Sequence, residues 1–150
     1  MKAVIQRVKY ANVKIDGEIV GECGKGFMIL LGVHSSDTKE DAEKLMKKVP
    51  VLRIFEDDNG KMNKSLLDVD GEALVVSQFT LIADCSHGRR PSFTNSAPAQ
   101  QANELYEYFV ELLRQSGVRS VQTGVFGADM QVELVNDGPV TIILDSKELH

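Results

Sequence analysis

Met130-Gln131-Val132-Glu133-Leu134-Val135-Asn136-Asp137-Gly138-Pro139-Val140-Thr141-Ile142-Ile143-Leu144 holds two strand-like runs, Met130–Val135 and Val140–Leu144, around a Gly-Pro step. Gly138 can take backbone angles closed to other residues, and Pro139 has no N–H to give a sheet ladder. The spacing predicts a hairpin turn with a trans proline, because only about 5–6% of X–Pro bonds in folded proteins are cis. A cis bond is the alternative. A backbone feature of this kind can shape a binding site without using any side chain.

Working outward, Val118–Thr123 reads as a third strand of this C-terminal group. Before it, Ala97–Ser116 reads as a helix, with Ala102, Leu105, Phe109, Leu112 and Leu113 on its inner face and Gly117 as its stop. Phe126–Met130 reads as a tight connection. The N-terminal half opens with strands at Ala3–Val8, Asn12–Ile15 and Glu18–Cys23, the last two joined by the two-residue turn Asp16-Gly17. Phe27–Val33 is a continuous apolar run, the pattern of a fully buried strand. Asp37 and Glu40 resemble a capping box for a helix whose apolar face is Ala42, Leu45, Met46 and Val49. Pro50 ends it, Val51–Phe55 follows as a strand, Asp57–Gly60 as a turn, and Ala73–Phe79 as another strand. The expectation is an α/β single domain over residues 1–150, with a mixed, strongly curved, barrel-like sheet and two principal helices.

A chain of 150 residues with 43% hydrophobic and 26% charged residues suits a globular domain, and no apolar run approaches the length of a membrane span. A cytoplasmic location is expected, with no membrane partner. The net charge of −5 argues against broad, non-specific nucleic-acid binding, DNA included, but not against a protein gripping only the end of an RNA strand. Cys23 and Cys85 match no metal or redox spacing, so two reduced thiols are expected, one in or near the core and one in a loop.

Ser77-Gln78-Phe79-Thr80-Leu81 closes a strand, where hydroxyls and main-chain N–H groups face a cleft and could hold an oxyanion. The alternative is a strand whose hydroxyls are satisfied locally. The histidines are His34, His87 and His150, and none is placed to act as base for a nucleophile; no metal-ligand spacing appears and no cofactor is expected. Arg89-Arg90-Pro91-Ser92-Phe93, with Lys61 and Lys64, could form a basic spot for phosphate, Phe93 being free to stack on a base. A solvated loop is the alternative.

Taken together, these segments resemble the D-aminoacyl-tRNA deacylase family (also called D-tyrosyl-tRNA deacylase) over essentially the full length. The opening Met1–Val8, Lys61–Asn63, Ser77–Leu81, Arg89–Phe93, Phe126–Met130 and Asn136–Thr141 occur in the family's order, and Ser-Gln-Phe-Thr-Leu followed by Asn-X-Gly-Pro-Val-Thr is highly specific. The resemblance implies a homodimer with active sites at the subunit interface. It implies that Gly138-Pro139 is cis and enters the partner's site, where backbone rejects an L-side chain and admits a D-residue or glycine. It further implies hydrolysis of the ester at the aminoacylated 3′ end of tRNA, with Ser77, Gln78, Phe79 and Thr80 lining the site. Arg89, Arg90, Phe93 and Lys61 are the candidate tRNA contacts. Thr80 as nucleophile and activation of water by the terminal 2′-OH both remain open. Outside this reading stand a non-catalytic RNA-binding module and a Thr80 or Cys85 esterase for small substrates.

Overall fold

The computed structural model describes residues 1–150. A single 14-residue strand, β1 (Lys2–Ile15), organises the sheet. One edge of β1 pairs antiparallel with β8 (Gln131–Asp145) along almost its whole length. The other edge is shared end to end by β3 (Gly26–Gly32), against Lys2–Val8, and β2 (Glu18–Cys23), against Ala11–Ile15. β3 then pairs in parallel with β6 (Glu72–Ser77), and β6 with β7 (Ser120–Thr123). The parallel steps need crossovers, which α1 (Lys39–Met46) and α2 (Ala99–Gln115) supply. A small ribbon of β4 (Phe55–Glu56) and β5 (Met62–Lys64) stands apart.

The sheet curls until β2 meets β7. The Glu22 N–H donates to the Gln122 side chain at 2.8 Å, and a Cβ at Gly21 would lie 2.1 Å from the Thr123 carbonyl oxygen, so only glycine fits this seam. The near-closed barrel has apolar residues on both faces. Phe27, Ile29, Leu31, Ala73 and Val75 face the helices and meet Phe109 and Leu113, while Val8, Val13, Met28, Leu74 and Val76 fill the inside. Each fully buried large side chain here contributes roughly 1.5–3 kcal/mol.

The expected fold class holds, and several local expectations do not. The hairpin at Gly138-Pro139 is absent: both flanking runs belong to β8, which continues antiparallel to β1 across a break in register. Gln6 pairs with Thr141 and Val8 with Asn136, so Asp137–Val140 bulges out opposite Arg7 alone. Likewise Ala3–Val8 and Asn12–Ile15 are one strand, which β8 pairs on both sides of the break in register. Pro50 lies in a 3-10 turn, Val49–Val51, and of the expected strand Val51–Phe55 only Phe55 enters a ladder. Helix α2 starts at Ala99 rather than Ala97, because Pro98 disfavours helical angles at the residue before it. The α1 capping pair is Thr38 and Asp41, whose carboxylate accepts the Thr38 N–H at 2.8 Å. Asp37 instead turns inward, taking the Met1 ammonium at 2.7 Å and the His34 N–H at 2.7 Å. A buried ammonium requires that counter-charge.

Candidate active site

At the carboxyl ends of β3 and β6 the chain encloses an apolar cleft of about 440 Å³. Three parts of the chain build it. Val76, Ser77, Gln78 and Phe79 form one wall, Ser96, Ala97 and the first turns of α2 a second, and Phe126–Ala128 with Met130 and Val132 the third. Ladder pairing carries β6 to Ser77, where the Gln78 N–H still donates to the Leu31 carbonyl at 2.8 Å. The chain then winds into a 3-10 turn, Phe79–Ile82, whose leading N–H groups have no partner inside the turn. Gly32 permits this fold-over: a Cβ there would lie 3.0 Å from the Gln78 carbonyl oxygen and 2.9 Å from Leu81 Cβ.

None of the 14 lining residues is ionisable, and Ser77, Gln78 and Ser96 supply the only polar side chains. Thr80 is exposed and outside the lining; its hydroxyl accepts a hydrogen bond from the Gln78 amide. Cys85 is exposed and outside the lining, and burial pushes the Cys23 thiol up to about 12, so Cys23 holds no thiolate at neutral pH. The locations anticipated for the two cysteines, core and loop, both hold.

Phe79 is 55% exposed at the mouth and meets Phe93 edge-on, with ring centroids 5.2 Å apart. The structure thus brings part of the Arg89–Phe93 loop to the cleft, with Arg89 and Arg90 solvent-exposed beyond it. Lys61 lies in the turn between β4 and β5, where Asp57 accepts its N–H at 3.0 Å; no hydrogen bond or ion pair links it to that loop. The Phe126–Met130 connection, which reads in sequence as a simple turn, is a wall of the cleft. Phe126 packs at 6.2 Å on Tyr106, whose hydroxyl donates to the Val75 carbonyl at 2.7 Å. An aromatic-glycine pair next to a strand was the available signal.

Gly138 and Pro139 are exposed, joined by a cis peptide bond, and do not line the cleft of their own chain. Their position is set by Arg7, which sequence inspection passes over. Arg7 is buried; its Nε donates to the Asp137 carbonyl at 3.0 Å and its Nη1 to the Ile54 carbonyl at 2.6 Å. The Asp137 carboxylate lies 3.8 Å from the same guanidinium, and Gln6 donates to the Asn136 side chain at 2.7 Å. Gly138 has φ +127°, and a Cβ on it would approach Arg7 Nη2 at 3.0 Å. The bulge is a clamped main-chain projection.

Two solved structures share this architecture. One, described as a c-Myc DNA unwinding element binding protein, matches with a TM-score of 0.92 and 44% identity over 97% of this chain and 98% of the other. The second, described as a probable eukaryotic D-amino acid tRNA deacylase, has a TM-score of 0.83 at 17% identity over 96% and 98% of the two chains, a likeness of fold alone. Among curated relatives, a D-aminoacyl-tRNA deacylase of Persephonella marina is 59% identical over 99% of this chain and 100% of its own length. Another, from Thermosipho melanesiensis, is 56% identical over 99% of both. The family model described as D-Tyr-tRNA(Tyr) deacylase matches residues 4–145, and the chain belongs to that family of aminoacyl-tRNA hydrolases.

Proposed function

We propose that the cleft hydrolyses the ester joining a D-amino acid, or glycine, to the terminal adenosine of tRNA, and that Gly138-Pro139 rejects L-residues from across a homodimer interface. The observation that carries this reading is the pairing of two features: an apolar cleft without an ionisable side chain, and a clamped main-chain projection that does not line that cleft in its own chain. In a dimer the projection would cap the partner's cleft. Its carbonyl oxygens would face the amino group and α-carbon, leaving space on one side of that carbon only. Chirality is then judged by a clash with backbone, whatever the side chain is. β8 pairs only with β1, which leaves its other edge free, and Ile143 on this strand is 64% exposed; a partner lying along β8 would cover both.

The chemistry follows from what the cleft contains. With no base beside Thr80 and its hydroxyl engaged by Gln78, activation of water by the adenosine 2′-OH is the better account. Leading amides of the Phe79–Ile82 turn would stabilise the oxyanion, and the Phe79–Phe93 pair offers a surface on which the adenine stacks. Arg89, Arg90 and Lys61 are left as outer contacts to tRNA.

The test is single-turnover release of amino acid from D-tyrosyl-tRNA and glycyl-tRNA by wild type and by Thr80→Ala. Both substrates should be cleaved, and Thr80→Ala should stay within about tenfold of wild type. A loss beyond about 10⁴-fold would establish threonine as the nucleophile, since that is the scale on which removing one acts. Intact glycyl-tRNA would remove glycine from the substrate range.

A further inference from the structure

Three segments contribute to the cleft and, within two residues, to a second cavity as well. Val33, Phe79 and Ser96 line the cleft; His34, Leu81 and Asn95 line a polar cavity of about 170 Å³ behind it. The Phe79–Ile82 turn contributes to both.

Charge distinguishes the two spaces. The cleft has no ionisable side chain, whereas Lys2 and Lys147 are among the residues lining the second cavity and neither forms an ion pair. The one carboxylate in its lining, Asp145, accepts the Lys147 N–H at 3.0 Å. The Met1 ammonium, also in the wall, is neutralised by Asp37 at 2.7 Å. His34 directs Nδ1 to Ser36, its hydroxyl at 2.8 Å. Two lysines without ion-pair partners therefore line a cavity that holds one carboxylate, in a chain whose net charge is −5. A local excess of cations against the overall sign marks a place where anions collect.

We propose that this cavity binds a backbone phosphate of the RNA strand whose terminal adenosine occupies the cleft, with Lys2 and Lys147 as its cationic contacts. The proposal rests on the cleft taking the aminoacylated 3′ end, as argued above. Lysine serves phosphate as a point charge and needs no bidentate geometry. A cavity of about 170 Å³ has room for one phosphate. The strand would thereby be anchored one step beyond the reacting ester, which lets an acidic protein hold RNA by its end alone.

The experiment compares wild type, Lys2→Ala, Lys147→Ala and the double variant on D-tyrosyl-tRNA and on D-tyrosyl-adenosine, which carries no phosphate. The double variant should lose on the order of tenfold in kcat/KM on the tRNA, through KM, with the adenosine ester cleaved as by wild type. The slope of log(kcat/KM) against log salt should shrink by about 0.7 for each phosphate contact removed. Equal losses on both substrates, or none on tRNA, would overturn the proposal. Inorganic phosphate separates the two sources of the anion: inhibition of wild type well below about 1 mM would assign the cavity to a free anion and likewise overturn it. If wild type leaves D-tyrosyl-adenosine intact, the reading of the cleft fails, and the tRNA salt slope of the double variant still decides for or against the cavity.

Discussion

Arg7→Ala should lower kcat/KM on D-tyrosyl-tRNA by on the order of 100-fold, the scale on which small misplacements of a reacting group act. The guanidinium holds the Asp137–Val140 bulge from beneath, through the Asp137 carbonyl, while its other arm is tied to the Ile54 carbonyl. Alanine removes both donors and opens space under Gly138. Stability should fall as well, by about 1–3 kcal/mol for each carbonyl left buried and unpaired. Arg7→Lys separates the two effects. It keeps the charge, but one ammonium cannot reproduce two N–H groups held in a fixed plane. Activity should therefore fall for Arg7→Lys even where thermal denaturation shows a stable protein. Full activity in Arg7→Ala would show that the bulge is held by something other than this clamp.

The largest effect on stability is expected at Asp37. Its carboxylate and the Met1 ammonium are 0–1% exposed, and the contact between them is 2.7 Å. Around it, the ammonium donates to the Ser146 hydroxyl at 2.8 Å, which donates to Asp41 at 2.8 Å. The cluster joins the start of β1, the start of α1 and the C-terminal turn. Asp37→Ala leaves a buried cation without its partner, a defect that costs about 3–5 kcal/mol. In a chain of this size the melting temperature should fall by roughly 10 °C. Asp37→Asn keeps an acceptor for the His34 N–H and should lie between the two. A melting temperature within about 2 °C of wild type for Asp37→Ala would contradict the assignment.

The sequence exposed the sheet and helices well where apolar periodicity is strong, as in Phe27–Val33 and on the inner face of α2. It misled at Asn136–Thr141 for a specific reason. Local composition describes a turn, yet the flanking residues are held in one strand by 11 register pairs with β1, a partner at the far end of the sequence. Tertiary pairing overrides the local signal. Asp37 misleads in a similar way: it stands where an N-cap belongs, but the charge it answers is the Met1 ammonium at the start of β1. Arg7 lies in the opening segment Met1–Val8, but its role is not legible there, since an arginine in a strand looks like a surface residue until its carbonyl partners are brought to it. Of the site, Ser77, Gln78 and Phe79 were legible from the strand end. Phe126–Ala128 was not, because a turn declares its length in sequence and not what it faces.

The central claim is that main chain, not side chain, selects the substrate's hand. It is tested most directly by measuring kcat/KM of the wild-type protein on D- and L-forms of tyrosyl-tRNA and aspartyl-tRNA in parallel. A backbone clash acts at the α-carbon, so the D-form should be preferred by more than about 100-fold in both pairs, bulky or charged alike. Comparable rates on the two hands of either amino acid, or a preference for L in one pair, would contradict it.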